Sequence, residues 1–140
     1  MSAKRTTVVK HLLLLGAYLQ REAGRMLLDV DINQQQFVVL KEIQERGPMI
    51  QREICSAILF EKSNVSKIVK KLLKSGLVTS IPSAEDARAA SLSVTPKGRL
   101  LIGRCMKKLN AWNRKWLEGL SEKELEAAVE VLDRIAAMAK

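Results

Sequence analysis

Cysteine and histidine are almost missing from this sequence: Cys55, Cys105 and His11 are the whole complement in 140 residues. Two cysteines set in helix-like apolar patterns are too few for a disulfide framework or a thiolate metal site, so core packing is their expected role. A single histidine leaves no partner for a His-based metal cluster or a Ser-His-Asp arrangement, and no glycine-rich phosphate loop occurs. Neither an enzyme nor a protein that depends on a metal or cofactor is expected. Long apolar runs are missing too. The richest, VVKHLLLLGAYL at residues 8–19, is interrupted by Lys10 and His11 and is shorter than the roughly 20 residues that span a bilayer. No small-residue cleavage site of the signal-peptide kind follows it, which points to a cytoplasmic protein without a membrane partner. Acids are scarce beside bases, 15 against 24, and the net charge is +9. An excess of that sign concentrates polyanions around the molecule, nucleic acid before anionic membrane.

What is present is a chain of helical patterns interrupted once by strands, of a length that suggests one domain. A first helix is expected from Thr7 to about Leu28, and Leu12, Leu13, Leu14 and Leu15 make it apolar on every side for a full turn, so a partner must cover it. Asn33 with Gln36 has the capping-box pattern ahead of Phe37, Val38, Leu40 and Ile43, which predicts a second helix to about Arg46, ended by Gly47 and Pro48. Ile54, Ile58 and Leu59 mark a short third helix. After a turn near Phe60 and Glu61, a fourth begins around Lys62 or Ser63 with its apolar stripe at Val65, Ile68, Val69 and Leu72. Opposite that stripe lie Ser63, Lys67, Lys70 and Lys74, flanked by Asn64 and Lys71. Gly76 fits the left-handed residue that closes such a helix.

Two short strands follow. Leu77, Thr79 and Ile81 alternate with Val78 and Ser80, and Leu92 and Val94 with Ser91 and Ser93, a period of two that predicts a half-buried ribbon. Its long loop carries Glu85, Asp86 and Arg88. Thr95 and Pro96 then make an N-cap and first-turn proline for a long helix with Leu101, Cys105, Leu109, Trp112 and Trp116 on its apolar side. Ser121 with Glu124 is a second capping box, opening a last helix through Leu125, Val129, Leu132 and Ile135.

Short helix, turn, basic helix, ribbon: the expected fold is mainly α with a small β-ribbon, a winged helix-turn-helix. Residues 31–95 would form the DNA-binding lobe, and residues 1–30 and 96–140 a helical dimerisation region. The partners expected are double-stranded DNA and a second copy of the chain, because isologous pairing of the terminal helices covers the leucines and the Trp112/Trp116 stripe. Ser63, Asn64 and Lys67 sit in the first turns of a helix that can enter the major groove, where asparagine pairs with adenine and lysine with guanine acceptors. Lys70, Lys71 and Lys74 lie where phosphates pass. The basic helix has no aromatic residue to stack single-stranded bases. At the ribbon tip, Arg88 can enter a narrow minor groove, with Asp86 two residues earlier to hold its guanidinium.

The stretches INQQQFVVL, NVSKIVKKLLKSGLV, EDARAASLSVTPKG and LSEKEL are similar to the MarR (multiple antibiotic resistance) family of winged-helix regulators, over about residues 7–138. The wing and the Thr-x-x-Gly at Thr95 to Gly98 are the most specific parts. The resemblance implies a homodimer on a pseudo-palindromic operator, often released by a small aromatic or anionic effector or by an oxidant. It also implies that Arg88 is the minor-groove residue, Asp86 its anchor, and Ser66 with Lys67 the pair touching bases and backbone. The sequence departs from the family at Ser80 and Ile81, where basic residues are common. It has no cysteine in its first helix, which sets it apart from the peroxide-sensing branch.

Blander readings compete with these. The lysines from 62 to 74 could be a solvated helix face, and Arg88 a surface ion pair with Asp86 or Glu85. Three functions stay open: a regulator that reads one operator, expected to repress in the family manner, an architectural DNA-binding protein that reads none, and a winged helix that binds another protein.

Overall fold

The computed structural model describes residues 3–83 and 88–140. Six helices and two strands run in the order α1 (Ala3–Met26), α2 (Gln34–Arg46), α3 (Gln51–Ile58), α4 (Lys62–Lys74), β1 (Val78–Pro82), β2 (Ala90–Val94), α5 (Pro96–Trp116) and α6 (Glu122–Ala139). They fall into two units, one ending at Gln34 and a second over Gln35–Lys140.

The first unit is essentially α1. It starts at Ala3, four residues before Thr7, whose hydroxyl donates back to the Ala3 carbonyl at 2.8 Å, as a threonine inside a helix does. No residue of α1 is buried. Leu12, Leu14 and Leu15 are exposed, and Leu13 is 71% exposed.

In the second unit, α2 buries Phe37, Val39, Leu40 and Ile43. Val39 takes the inward position expected of Val38, which is only half-buried. Gly47, at φ +77°, turns the chain out of the helix. The Glu53 carboxylate accepts from the Ile50 backbone N–H at 2.9 Å, and so caps α3. That helix ends at Leu59, whose φ of +58° is left-handed. The stripe of α4 is buried as expected at Val65, Ile68, Val69 and Leu72. Its end closes with the Gly76 N–H on the Leu73 carbonyl and the Leu77 N–H on the Leu72 carbonyl, with Gly76 at φ +72°.

The ribbon is antiparallel and pairs Val78 with Val94, Ser80 with Leu92 and Pro82 with Ala90. On β1 the inward face has the opposite parity to the one expected, whereas on β2 Leu92 points in as expected. Val78 points in, and Ile81 is 56% exposed. Leu77 is buried but belongs to the turn that closes α4, so the strand takes its register from Val78. A single-residue bridge adds a third rung: Met49 and Leu92 exchange both backbone hydrogen bonds, at 3.0 and 2.8 Å. Beyond the ribbon itself, the most extensive contacts between elements join α3 with α4, α4 with β1, and β2 with both α3 and α5.

The first turn of α5 grips the end of α4. Thr95 accepts from the Gly98 N–H at 3.0 Å and donates its hydroxyl hydrogen to the Gly76 carbonyl at 2.7 Å. Lys97 donates its ammonium to the Ser75 carbonyl at 2.8 Å. Further along, Ile102 and Cys105 are the buried positions of α5, while Trp112 and Trp116 are half-buried and stack on each other with ring centres 5.1 Å apart. The second capping box forms as expected. Ser121 and Glu124 bond reciprocally, and the Ser121 backbone N–H, then its hydroxyl, hold the Glu124 carboxyl below its usual pKa. The cap is therefore fully made above the ordinary carboxylate range and lost as pH falls through the lowered value. Among the described residues no helix is long and apolar enough to cross a membrane.

Candidate nucleic-acid interface

With the buried stripe of α4 turned inward, Ser63, Lys67, Lys70 and Lys74 fall within about 60° of arc on its outer side. All four are exposed, and so is Lys71 at their flank. The helix contains five lysines and no acid. The acids of α2 are engaged elsewhere: Glu42 and Glu45 pair with Arg46 and Lys41 on their own helix. None of the ion pairs among the described residues involves a lysine of α4. The result is an uncompensated cationic ridge on a rigid helix, with Lys71 and Lys74 also placed to interact favourably with the helix C-terminal dipole.

Ser66 and Asn64 are half-buried on the two sides of that ridge. Asn64 is engaged: its Nδ2 donates to Oε1 of Gln35, at the start of α2, over 3.2 Å. Sequence reasoning missed Gln35, since its partner lies 29 residues away; a run of three glutamines opening α2 was the available signal. Arg88 is exposed, two residues before β2. Asp86 lies outside the described residues, so the expected Asp86–Arg88 pair is not among the contacts described.

A short helix, a turn, a cationic helix locked to a two-stranded ribbon and a long following helix together make a winged helix-turn-helix. The sequence model of the MarR family matches residues 32–90, from two residues before α2 to the first residue of β2. Over that stretch the chain is similar to the MarR family. The relatives it matches are HTH-type transcriptional regulators rather than enzymes. IacR of Pseudomonas putida, described as an HTH-type transcriptional repressor, is 27% identical over 118 residues, which cover 84% of this chain and 70% of that protein. The transcriptional regulator BldR of Sulfolobus solfataricus has the same fold, with a TM-score of 0.88 at 20% identity over 99% of both chains. A cysteine-to-serine mutant of E. coli MarR, solved in complex with operator DNA, matches with a TM-score of 0.81 at 16% identity, over 94% of this chain and 95% of that one.

Proposed function

We propose that this chain acts as a MarR-family regulator, a homodimeric repressor that reads a pseudo-palindromic operator through α4 and the wing. The observation that carries the reading is the acid-free lysine ridge of α4. The fold it shares with a MarR protein solved on operator DNA supports the same use, and the relative called a repressor supports the sign of regulation. Residues 31–95 are then the DNA-binding lobe, and residues 1–30 with 96–140 the dimerisation region. Ser63, Ser66 and Lys67 face the bases of the major groove, while Lys70, Lys71 and Lys74 meet phosphates. Arg88 enters the minor groove beside them, held by Asp86.

Control by a small aromatic or anionic effector belongs to the same proposal. A recess of about 600 Å³ is lined by Cys55, Leu59, Phe60 and Glu61 around the turn before α4, and by Ala139 at the end of α6. A ligand there would press on the turn that aims the lysine ridge. It would release DNA only by favouring a placement of the two α4 helices that misses half-sites one helical turn apart.

Selection of bound sequences from a random duplex library, followed by competition with bulk DNA, tests the reading. A regulator should prefer its selected site by about 10³-fold or more. An architectural protein would show almost no preference, and a protein-binding winged helix no salt-dependent DNA binding.

Substitution separates helix from wing. Lys67→Ala should weaken binding and blur preference at a guanine-containing position, because lysine donates to O6 and N7. Arg88→Ala should cost about 1–3 kcal/mol, with preference lost mainly for A·T-rich flanks. Asp86→Ala should give a smaller loss in the same direction. Titrations at matched salt on operators with A·T-rich and G·C-rich flanks make the comparison, and equal binding of both by Arg88→Ala and the parent would leave the wing without a reading role.

A further inference from the structure

Asn64 stands on the shoulder of α4, between the buried stripe and the lysine ridge, and its side chain is tied across to α2. A primary amide has two N–H donors and one carbonyl acceptor. Gln35 takes one of the donors. What remains on Asn64 is one N–H and one C=O, the combination that pairs with the N7 acceptor and N6 donor of adenine in the major groove. An amide can be turned over about its last torsion, which exchanges donor and acceptor. With the Gln35 oxygen turned toward Asn64, as it is in this structure, only the nitrogen end of Asn64 can meet it, and that bond selects one of the two orientations.

We infer that Gln35 is a specificity-positioning residue, whose side-chain amide fixes the donor–acceptor order that Asn64 presents to a base pair. This rests on the reading of α4 as the helix that enters the major groove. Gln35 itself touches no base edge in this scheme; it acts through Asn64. Both residues are half-buried, so water competes less for the bond than it would at a fully exposed pair. Their elements belong to the same unit, which keeps the two amides in register when DNA is approached.

The test uses the full-length protein, the duplex it selects from a random library, and that duplex substituted one base pair at a time. The parent should discriminate at an A·T position that Asn64→Ala renders indifferent, a loss of about tenfold in preference. Gln35→Met, close in size but without an acceptor oxygen, should erase preference at the same position. It should leave affinity for bulk DNA, the salt dependence and the melting temperature as in the parent. Gln35→Glu keeps the acceptor and should retain the preference, although its charge lowers affinity for every duplex alike. Combining Gln35→Met with Asn64→Ala should add nothing to either alone. If Gln35→Met weakens all duplexes evenly, or leaves the preference of the parent intact, the positioning role is overturned while operator reading stands. If Asn64→Ala changes no base preference, the role is overturned in the same way. A parent that selects no sequence overturns the reading of α4, and this inference with it.

Discussion

Gly98→Ala is expected to lower the stability of the fold by about 2–4 kcal/mol, although it places the best helix former in the first turn of a helix. Propensity alone would favour alanine over glycine by about 1 kcal/mol. The surroundings decide otherwise. A Cβ at residue 98 would collide with the backbone carbonyl oxygen of Leu77 and stand 2.8 Å from Cγ1 of Val94. Backbone cannot swing aside as a lysine tip would, and the Leu77 carbonyl is also held by the Thr95 N–H at 3.0 Å. Relief of the clash must pull α5 off the end of α4 or spread the ribbon. At one fixed protein concentration the melting temperature should drop by about 5–15 °C. A variant that melts at or above the parent would mean that helix propensity outweighs the contact.

The second large effect is expected from Leu13→Glu. The four leucines from Leu12 to Leu15 are exposed in the single chain, and burial of such side chains is worth about 1.5–3 kcal/mol each. On α6, Val129, Val131, Leu132 and Met138 are exposed as well. Apolar surface on this scale is the mark of an interface. If the terminal helices pair two chains, the glutamate places a desolvated charge in that interface. Sedimentation equilibrium should then show a parent dimer and a variant monomer at micromolar concentration. Affinity for the full operator should fall by about 10²-fold or more, because the second half-site is no longer bound by a tethered partner. Affinity for an isolated half-site should be unchanged, which separates loss of pairing from loss of folding. A monomeric parent would remove the basis of the prediction.

The legible parts of the fold are those fixed by near neighbours in the chain. The stripe of α4, the left-handed Gly76, the Thr95 cap and the Ser121–Glu124 box each depend on residues within one or two turns, and each formed where its pattern lies. Errors arose where one local signal had two meanings. The helix expected from Thr7 begins at Ala3, and the Thr7 hydroxyl bonds backward inside it. The ribbon offered two alternating sets, and tertiary contact chose between them: Leu77 was claimed by the closure of α4, and Met49 paired with Leu92. For the candidate site, the cationic ridge was readable from spacing alone. The Gln35–Asn64 bond and the grip of Lys97 on Ser75 were not, because each joins residues more than twenty apart in the chain.

That grip makes α4 and α5 a single mechanical lever. Thr95 and Lys97 fasten the base of α5 to the carbonyls of Gly76 and Ser75, just past the end of α4, and the helix then runs 21 residues, or about 31 Å. With the far end of such an arm anchored, a tilt of about 5° sweeps its base through roughly 3 Å, and α4 has to travel with it. Hydrogen bonds to bases tolerate a few tenths of an ångström. If α4 reads DNA as proposed, a small change of angle far from the DNA is thus geared up, at the reading head, to a displacement larger than the contacts can follow.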